Sequence, residues 1–322
     1  MKVDAHTHII SRAFMEAAER LPGAKASTVG GWHLIERDGR RIERVETAWL
    51  EPDHRLRDMD KKGVDIHLVS LSAPSLNPFP AKDHPELAKR VNDEIIALVK
   101  KRPDRMRALL TLPLTDIEAS LQELERCRGA AEVCGISMGS NVGGVTPSDA
   151  RFEPLWARIN ELKMPVVEHP MFPVFRDSLP EYGLDLILGF YFDTQIMVSR
   201  MILNGVFARY PDFAFLVAHT GAGLLGIMPR LGRVHRHAPV VAENMRGKPF
   251  ADYAKNLYYD TCVFYGPTLM EACRFAGPER ILFGTDYPYV DQDSAHVDGL
   301  DLPAKTREAI NGGNAARVFG LK

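Results

Sequence analysis

Eight short apolar runs alternate with longer amphipathic stretches along this 322-residue chain, and this alternation restricts its fold more than any other feature. Strand-like runs followed by helix-like stretches are typical of βα units on a parallel sheet. Eight such units predict an α/β fold of the closed (β/α)₈ type, the TIM barrel. Because such barrels commonly use about 250 residues or more, residues 1–322 are expected to form one domain. The predicted strands cover residues 3–8, 64–71, 106–112, 134–138, 165–168, 213–218, 257–260 and 281–284, and the predicted helices lie near residues 54–62, 84–101, 116–128, 151–163, 193–209, 222–235, 266–276 and 303–310.

One connection is much longer than a normal βα loop and is predicted to be a small insert at about residues 10–52. Inside it, residues 32–36 and 41–46 flank Asp38 and Gly39, a pair that favours a two-residue hairpin turn. A hairpin that follows the first strand of a barrel lies above the barrel mouth. It is therefore either a cover for the barrel or a lid over a substrate.

The composition excludes several classes of protein. With 45% hydrophobic residues, 25% charged residues and a net charge of −2, the chain is typical of a globular protein with no nucleic-acid or membrane partner. No apolar run reaches the length of about 18 residues that a membrane span needs. Four scattered cysteines without a CxxC pair, and no signal segment, lead us to expect a reduced, cytoplasmic protein. These cysteines are Cys127, Cys134, Cys262 and Cys273.

Histidine and aspartate residues occur where four of the predicted strands end. His6 and His8 are two positions apart on the first strand, so both imidazoles face the same side. His169 follows the fifth strand, His219 the sixth and Asp286 the eighth. Each residue alone is ordinarily a hydrogen-bonded or turn residue, but the carboxyl ends of all barrel strands open at one mouth. Together they predict a metal site there.

Four short motifs carry a resemblance to a known family. The sequences DAHTH at residues 4–8, EHP at 168–170, AHTG at 218–221 and GTDYP at 284–288 resemble the amidohydrolase superfamily. The similarity is to the branch with α-amino-β-carboxymuconate-ε-semialdehyde decarboxylase and γ-resorcylate decarboxylase, and it continues through residues 49–64, 204–211 and 313–320.

The resemblance implies a metal-dependent nonoxidative decarboxylase, a carboxy-lyase, acting on a small unsaturated or aromatic carboxylic acid. Because one fold supports several reactions, a hydrolase or hydratase of a related ring-cleavage product is the alternative. A metal-binding barrel without catalysis is a further one.

By matching position, the resemblance implies that His6, His8, His169 and Asp286 bind one divalent ion with water in an open position. Zinc suits three imidazoles and a carboxylate, and manganese is the alternative as oxygen ligands are added. His219 and Asp286 would be the catalytic residues: His219 as acid or base, and Asp286 as a proton shuttle. Members of the superfamily with two metals bridge them with a lysine or glutamate on strand four, but that strand here reads GISMGS. One metal is therefore expected.

The segments that would select the substrate depart from the aminocarboxymuconate enzyme. An arginine that holds a carboxylate in that enzyme corresponds here to Glu46, with Arg44 and Arg41 nearby. A tryptophan that lines its pocket corresponds to Gly183. We expect Arg44 to contact the substrate, but the substrate itself is not identified by the sequence.

Three other residues are expected to contact the substrate. Arg230 lies eleven residues after His219 and matches an arginine that reaches the active site of a neighbouring subunit in the family. The match implies a homodimer or higher homo-oligomer, although a solvated helix charge is an equal alternative. Asn77 and Phe172 lie on predicted mouth loops, after strands two and five.

Overall fold

The computed structural model describes residues 1–51, 53–236 and 238–321, and within them eight parallel strands close into a barrel. The strands follow one another around the barrel in chain order. The last strand is hydrogen-bonded to the first, which closes the barrel. Ala5 N donates to Phe283 O and Asp286 N donates to His6 O, both at 2.9 Å. The predicted (β/α)₈ fold is therefore confirmed.

The strands are numbered here in chain order, with β2 to β4 belonging to the insert. They are β1 (Val3–Ile9), β2 (Ala24–Val29), β3 (Trp32–Arg37), β4 (Arg40–Glu46), β5 (Ile66–Leu71), β6 (Met106–Thr111), β7 (Val133–Gly139), β8 (Val166–His169), β9 (Phe215–Val217), β10 (Tyr258–Asp260) and β11 (Ile281–Leu282).

Helices surround the barrel because each has one apolar face. In the third helix, for example, Leu87, Val91 and Ile95 recur every four residues and are all buried. The helices are α1 (Arg12–Glu19), α2 (His54–Lys62), α3 (His84–Lys101), α4 (Ile117–Cys127), α5 (Glu153–Leu162), α6 (Leu184–Leu203), α7 (Val206–Arg209), α8 (Leu224–Leu231), α9 (Val240–Asn244), α10 (Phe250–Lys255), α11 (Gly266–Ala276), α12 (Ala295–Asp298), α13 (Ala304–Glu308) and α14 (Asn314–Phe319).

Two predicted helices have different bounds in the structure. The helix predicted at residues 193–209 begins nine residues earlier, at Leu184, and is interrupted before α7 at Gly205, which has a positive φ of 71°. The helix predicted at residues 303–310 continues through a wider turn at Ala309–Gly313 into α14. There Gly312 is packed so closely that a Cβ would lie 2.1 Å from Met1 O.

The insert is larger than the predicted hairpin. It contains α1 and a three-stranded antiparallel sheet, β2-β3-β4. Asp38 and Gly39 form the predicted turn with φ values of 52° and 74°, as a hairpin turn of this kind requires. Strand β2 is mostly exposed and has no apolar alternation, so the sequence did not indicate it. Pro52, the last residue of the predicted insert, lies outside the described residues.

Helix α6 departs from the expectation that no segment is long and apolar enough to cross a membrane. Its 20 residues have a mean hydropathy of 1.3 and meet that criterion by length and composition. This is weak evidence for a span, because core helices meet the same criterion. Met197, Val198 and Met201 of α6 are fully buried in the protein core.

Candidate metal centre and active site

The structure brings together the four side chains predicted to bind a metal. Nitrogen atoms of His6, His8 and His169 and a carboxylate oxygen of Asp286 all lie within 4.8 Å of one another. His6 and His8 come from β1, His169 ends β8, and Asp286 follows β11, all at one end of the barrel. The three imidazoles are buried and Asp286 is partly buried.

Each imidazole of this cluster is oriented by a hydrogen bond from Nδ1. His6 Nδ1 lies 2.6 Å from Asp260 Oδ2, and His169 Nδ1 lies 2.9 Å from the carbonyl oxygen of Pro170. His8 Nδ1 lies 3.1 Å from Ser70 Oγ, whose own proton is donated to Thr7 O. Because these partners accept hydrogen bonds, each of the three rings has its proton on Nδ1. The lone pair of each Nε2 is then available to bind a metal ion, as in known metal sites.

The electrostatics of the cluster favour a cation. Burial lowers the pKa of His8 and, more strongly, that of His169, so both are neutral donors. Although burial opposes its charge, the imidazoles of His219 and His8 hold the pKa of Asp286 well below its ordinary value. His6 is also desolvated, yet Asp260 and Asp286 raise its pKa to about 9. The carboxylates of Asp260 and Asp286 thus favour positive charge at this position, which either a proton on His6 or a bound cation can supply.

One buried polar atom of the cluster lacks a hydrogen-bond partner. Among the described residues, His6 Nε2 is buried and unpaired. Buried nitrogen atoms are normally hydrogen-bonded, so an exception needs another ligand. Three Nε2 donors and one carboxylate oxygen fit a divalent ion. A second group, His6, Asp260 and Cys262, is also compact. There the pKa of the Cys262 thiol is raised well above its usual value by burial, which disfavours a thiolate ligand.

Asp260 was not singled out from the sequence, although it ends strand β10 at the same mouth. Its Oδ2 accepts from His6 Nδ1 and from His219 N at 2.9 Å, and its Oδ1 accepts from Thr220 N at 2.7 Å and Cys262 N at 3.0 Å. His219 and Thr220 have positive φ values of 53° and 56°. These four hydrogen bonds stabilise that uncommon backbone conformation and orient His6. The strand-end rule applied to β10 would have found this residue.

His219 stands beside the ligand cluster without joining it. Its Nε2 lies 3.8 Å from Asp286 Oδ2, and its ring stacks on Tyr191 at a centroid distance of 5.5 Å and an interplanar angle of 25°. Its Nδ1 is buried with no hydrogen-bond partner in the described part of the chain. This position suits a residue that exchanges a proton with a substrate or with Asp286.

A cavity of about 420 Å³ opens over the cluster. One wall comes from β4 of the insert, another from α6 and the loop before it, and a third from the segment after β11. This volume lies in the range of small-molecule sites. The lining residues that contain a polar or aromatic side chain are Arg41, Glu43, Arg44, Ser72, His169, Phe172, Phe190, Tyr191, His219, Cys262, Phe264, Asp286 and Tyr289.

The four residues predicted to bind the substrate fall into two groups. Phe172 and Arg44 line the cavity. The Arg44 guanidinium lies 4.0 Å from the ring centre of Trp32. Arg230 is exposed at the end of α8, outside this cavity. Asn77 also lies outside it, where its side-chain amide bridges to Asn141 O and Gly143 N at 3.3 Å.

The closed barrel, with imidazoles and a carboxylate converging at its mouth, places the protein in the class of metal-dependent barrel enzymes. The chain belongs to the amidohydrolase family, whose family model matches residues 3–321. This confirms the family predicted from the four motifs.

Two relatives of known function are decarboxylases. The chain is 30% identical over 298 residues to gamma-resorcylate decarboxylase of Rhizobium radiobacter, with coverage of 85% of this chain and 90% of the relative. It is 27% identical over 337 residues to 2-amino-3-carboxymuconate-6-semialdehyde decarboxylase of Dictyostelium discoideum, with coverage of 100% and 92%.

A solved structure supports a divalent ion in this type of site. Dihydroxybenzoic acid decarboxylase of Polaromonas, solved with manganese and the inhibitor 2-nitroresorcinol, is 25% identical, with a TM-score of 0.79 and coverage of 99% of this chain and 97% of that one. A divalent ion is thus supported for the present family member.

Proposed function

We propose that this amidohydrolase is a nonoxidative decarboxylase, a carboxy-lyase, that acts on a small aromatic or unsaturated carboxylic acid with one divalent ion. The observation that carries the proposal is the convergence of His6, His8, His169 and Asp286 beside His219, under a cavity of about 420 Å³. The decarboxylase relatives support this reaction over hydrolysis and hydration.

In this proposal the ion is held by the Nε2 atoms of the three ligand histidines and by Asp286. When bound there, the ion would supply Lewis-acid chemistry for the oxygen atoms of an acid substrate. For the ion itself we propose zinc, which suits this donor set, and the manganese of the Polaromonas enzyme supports the alternative.

The protein groups then move one proton. His219 Nε2 lies 3.8 Å from Asp286 Oδ2, which is longer than a direct hydrogen bond, so a proton would pass between them through a bridging water and on to the substrate carbon that carries the carboxylate. The bond to the carboxylate breaks, its electron pair returns to the conjugated system, and carbon dioxide leaves. Phe172, Phe190 and Tyr191 would hold the flat substrate and exclude water.

The proposal also covers the location, the partners and the oligomeric state of the protein. We propose a cytoplasmic enzyme whose partner is a small carboxylic acid, without nucleic-acid or membrane partners, and which forms a homodimer or higher homo-oligomer. In that assembly Arg230 would contact the substrate of the neighbouring subunit, and Asn77 would act on the site only through its loop.

The direct test is carbon dioxide release from 2,6-dihydroxybenzoate and related hydroxylated acids by metal-free protein reconstituted with zinc or manganese. We expect turnover with at least one ion. His219→Ala should reduce kcat by about 10²–10⁴-fold, because it removes a proton-transfer group, and should still bind one ion per chain. A matched control, His33→Ala, changes a histidine of β3 that bonds to Thr28 and Glu19 instead. A variant lacking His219 that loses its metal would assign this histidine to the ligand set, and hydration without carbon dioxide release would identify a hydratase.

A further inference from the structure

Strand β4 of the insert places an acidic side chain in the wall of the substrate cavity. Ile35 of β3 pairs with Glu43, whereas the neighbouring Glu36 pairs with Arg41, so Ile42 is an extra residue of a β-bulge. Bulges redirect side chains and are common beside active sites. Here Ile42 and Glu43 are both buried, at 9% and 7% exposure, and both line the cavity.

The Glu43 carboxylate has few partners for a buried acid. Its Oε1 accepts from Arg44 N at 2.9 Å, and the hydroxyl of Tyr289 lies 3.4 Å from both oxygens. Within the described residues, no basic side chain forms an ion pair with it. Oε2 therefore has one long contact and retains capacity to accept a further hydrogen bond. Buried carboxylates normally use that capacity, which indicates that a ligand in the cavity completes it.

The cations of this wall do not neutralise Glu43. Arg44 is exposed, with its guanidinium over Trp32, and Arg41 is half-buried without an ion pair in the described part of the chain. Tyr289 connects Glu43 to the metal centre, since its ring centre lies 5.9 Å from that of His8. The acid thus lines the same cavity as the ligand residues His169 and Asp286, and it is more buried than the two arginines.

We propose that Glu43, positioned by Tyr289, is a specificity residue that accepts a hydrogen bond from a hydroxyl or amino substituent of the substrate and rejects a second carboxylate. This inference rests on the proposed function, because it assumes that the reacting carboxylate lies at the metal. It narrows the substrate class to acids with a donor group remote from the reacting carboxylate.

The proposal is tested at pH 8 with two ligands that differ in one group, on protein reconstituted with manganese. Both are 2-nitrophenols, in which the nitro group stands in for the reacting carboxylate. One carries a hydroxymethyl group opposite the phenol (4-hydroxy-3-nitrobenzyl alcohol), and the other a carboxylate (4-hydroxy-3-nitrobenzoate). We expect the wild type to bind the alcohol at least about tenfold more tightly, because a like charge beside Glu43, or a Glu43 acceptor left without a donor, costs roughly that factor.

The variant Glu43→Gln should remove most of this preference, so that the ratio of the two dissociation constants falls about tenfold. Glu46→Gln is the matched control, because Glu46 is on the same strand but does not line the cavity, and its ratio should equal that of the wild type. If Glu43→Gln binds both ligands with the wild-type ratio of dissociation constants, the proposed role of Glu43 is contradicted and the proposed function is not. If the metal-loaded wild type binds neither ligand, both the proposed function and the proposed role of Glu43 are contradicted.

Discussion

At the scale of single residues, the site depends on atoms that cannot be exchanged for others of similar size. Asp260 shows this best. Each of its two oxygens accepts from two N–H groups, so all four contacts require an acceptor. An asparagine would turn one oxygen into a donor and oppose two of those N–H groups.

We therefore predict that Asp260→Asn weakens metal binding by about 10–100-fold, as loss of a partner behind a ligand histidine does in other sites. Titration of the metal-free protein with zinc measures this change. Asp193→Asn is a suitable control, since Asp193 is buried and accepts from Asn141 Nδ2 at 2.7 Å but has no bond to a ligand. Equal zinc affinity in Asp260→Asn and the wild type would contradict the role given to this carboxylate.

Glu43 has a pH-dependent cost to stability. Burial raises its pKa from 4.5 to about 7, against the opposing effects of the Arg44 N–H and Arg41. A raised pKa means that the folded state holds the proton more tightly than the unfolded state. Stability from this proton is therefore fully present below about pH 4.5 and is lost as the pH rises through 7.

We predict that Glu43→Gln, which never ionises, is more stable than the wild type at pH 8 by about 3 kcal/mol at most, and by much less at pH 5. Urea unfolding at both pH values measures the difference, with Glu46→Gln as reference. A stability difference that is the same at pH 5 and pH 8 would show that Glu43 does not carry this proton.

At the scale of elements, the site depends on how closely the ends of β1, β10 and β11 approach one another. Gly284, just after β11, is packed so that a Cβ would lie 2.9 Å from His6 Cβ, 3.0 Å from Cys262 Sγ and 3.3 Å from Asp260 Cβ. A side chain there would separate β1 from β10 and move His6 relative to Asp260. The glycine therefore sets the spacing of the ligand cluster.

We expect Gly284→Ala to reduce the free energy of unfolding by about 1–3 kcal/mol, the usual cost of overpacking, and to lower zinc affinity as well. Gly129→Ala is the control, because a Cβ at Gly129 would meet no atom within 4 Å. Thermal unfolding and metal titration of both variants provide the measurement. If Gly284→Ala is destabilised but binds zinc normally, the strand spacing does not control the ligand geometry.

At the scale of the whole molecule, the barrel and the convergence of the candidate ligand residues could be predicted, because both follow from local patterns. Alternating strands and helices determine the barrel, and barrel topology then brings His6, His169 and Asp286 together. Helix α1 and strand β2 of the insert, the bulge at Ile42 and the acceptor role of Asp260 were not predicted. They depend on tertiary packing of exposed or irregular segments, which hydrophobic periodicity does not encode.

Four exposed apolar residues lie on α6 and α8, beside the predicted subunit contact. Ile187, Leu188 and Phe192 of α6 and Ile227 of α8 have exposures of 65%, 42%, 45% and 39%, and Arg230 lies one turn beyond Ile227. A patch of this kind marks an interaction site. With a matching surface on a second copy, it supports the proposed dimer, in which Arg230 of one subunit would enter the cavity of the other.

Mixing two inactive variants tests this arrangement. Arg230→Ala and His219→Ala should each lack activity alone. In a mixed dimer, the Arg230→Ala subunit keeps His219 and receives an intact Arg230 from its partner, so one complete site is restored. Random exchange of subunits makes half of the dimers mixed, and recovery should approach about a quarter of wild-type activity. Arg233→Ala alone is the matched control, because it removes a neighbouring exposed arginine and should keep wild-type activity. If Arg230 acted within its own chain, the Arg230→Ala mixture would stay inactive, because no single subunit would then hold both residues.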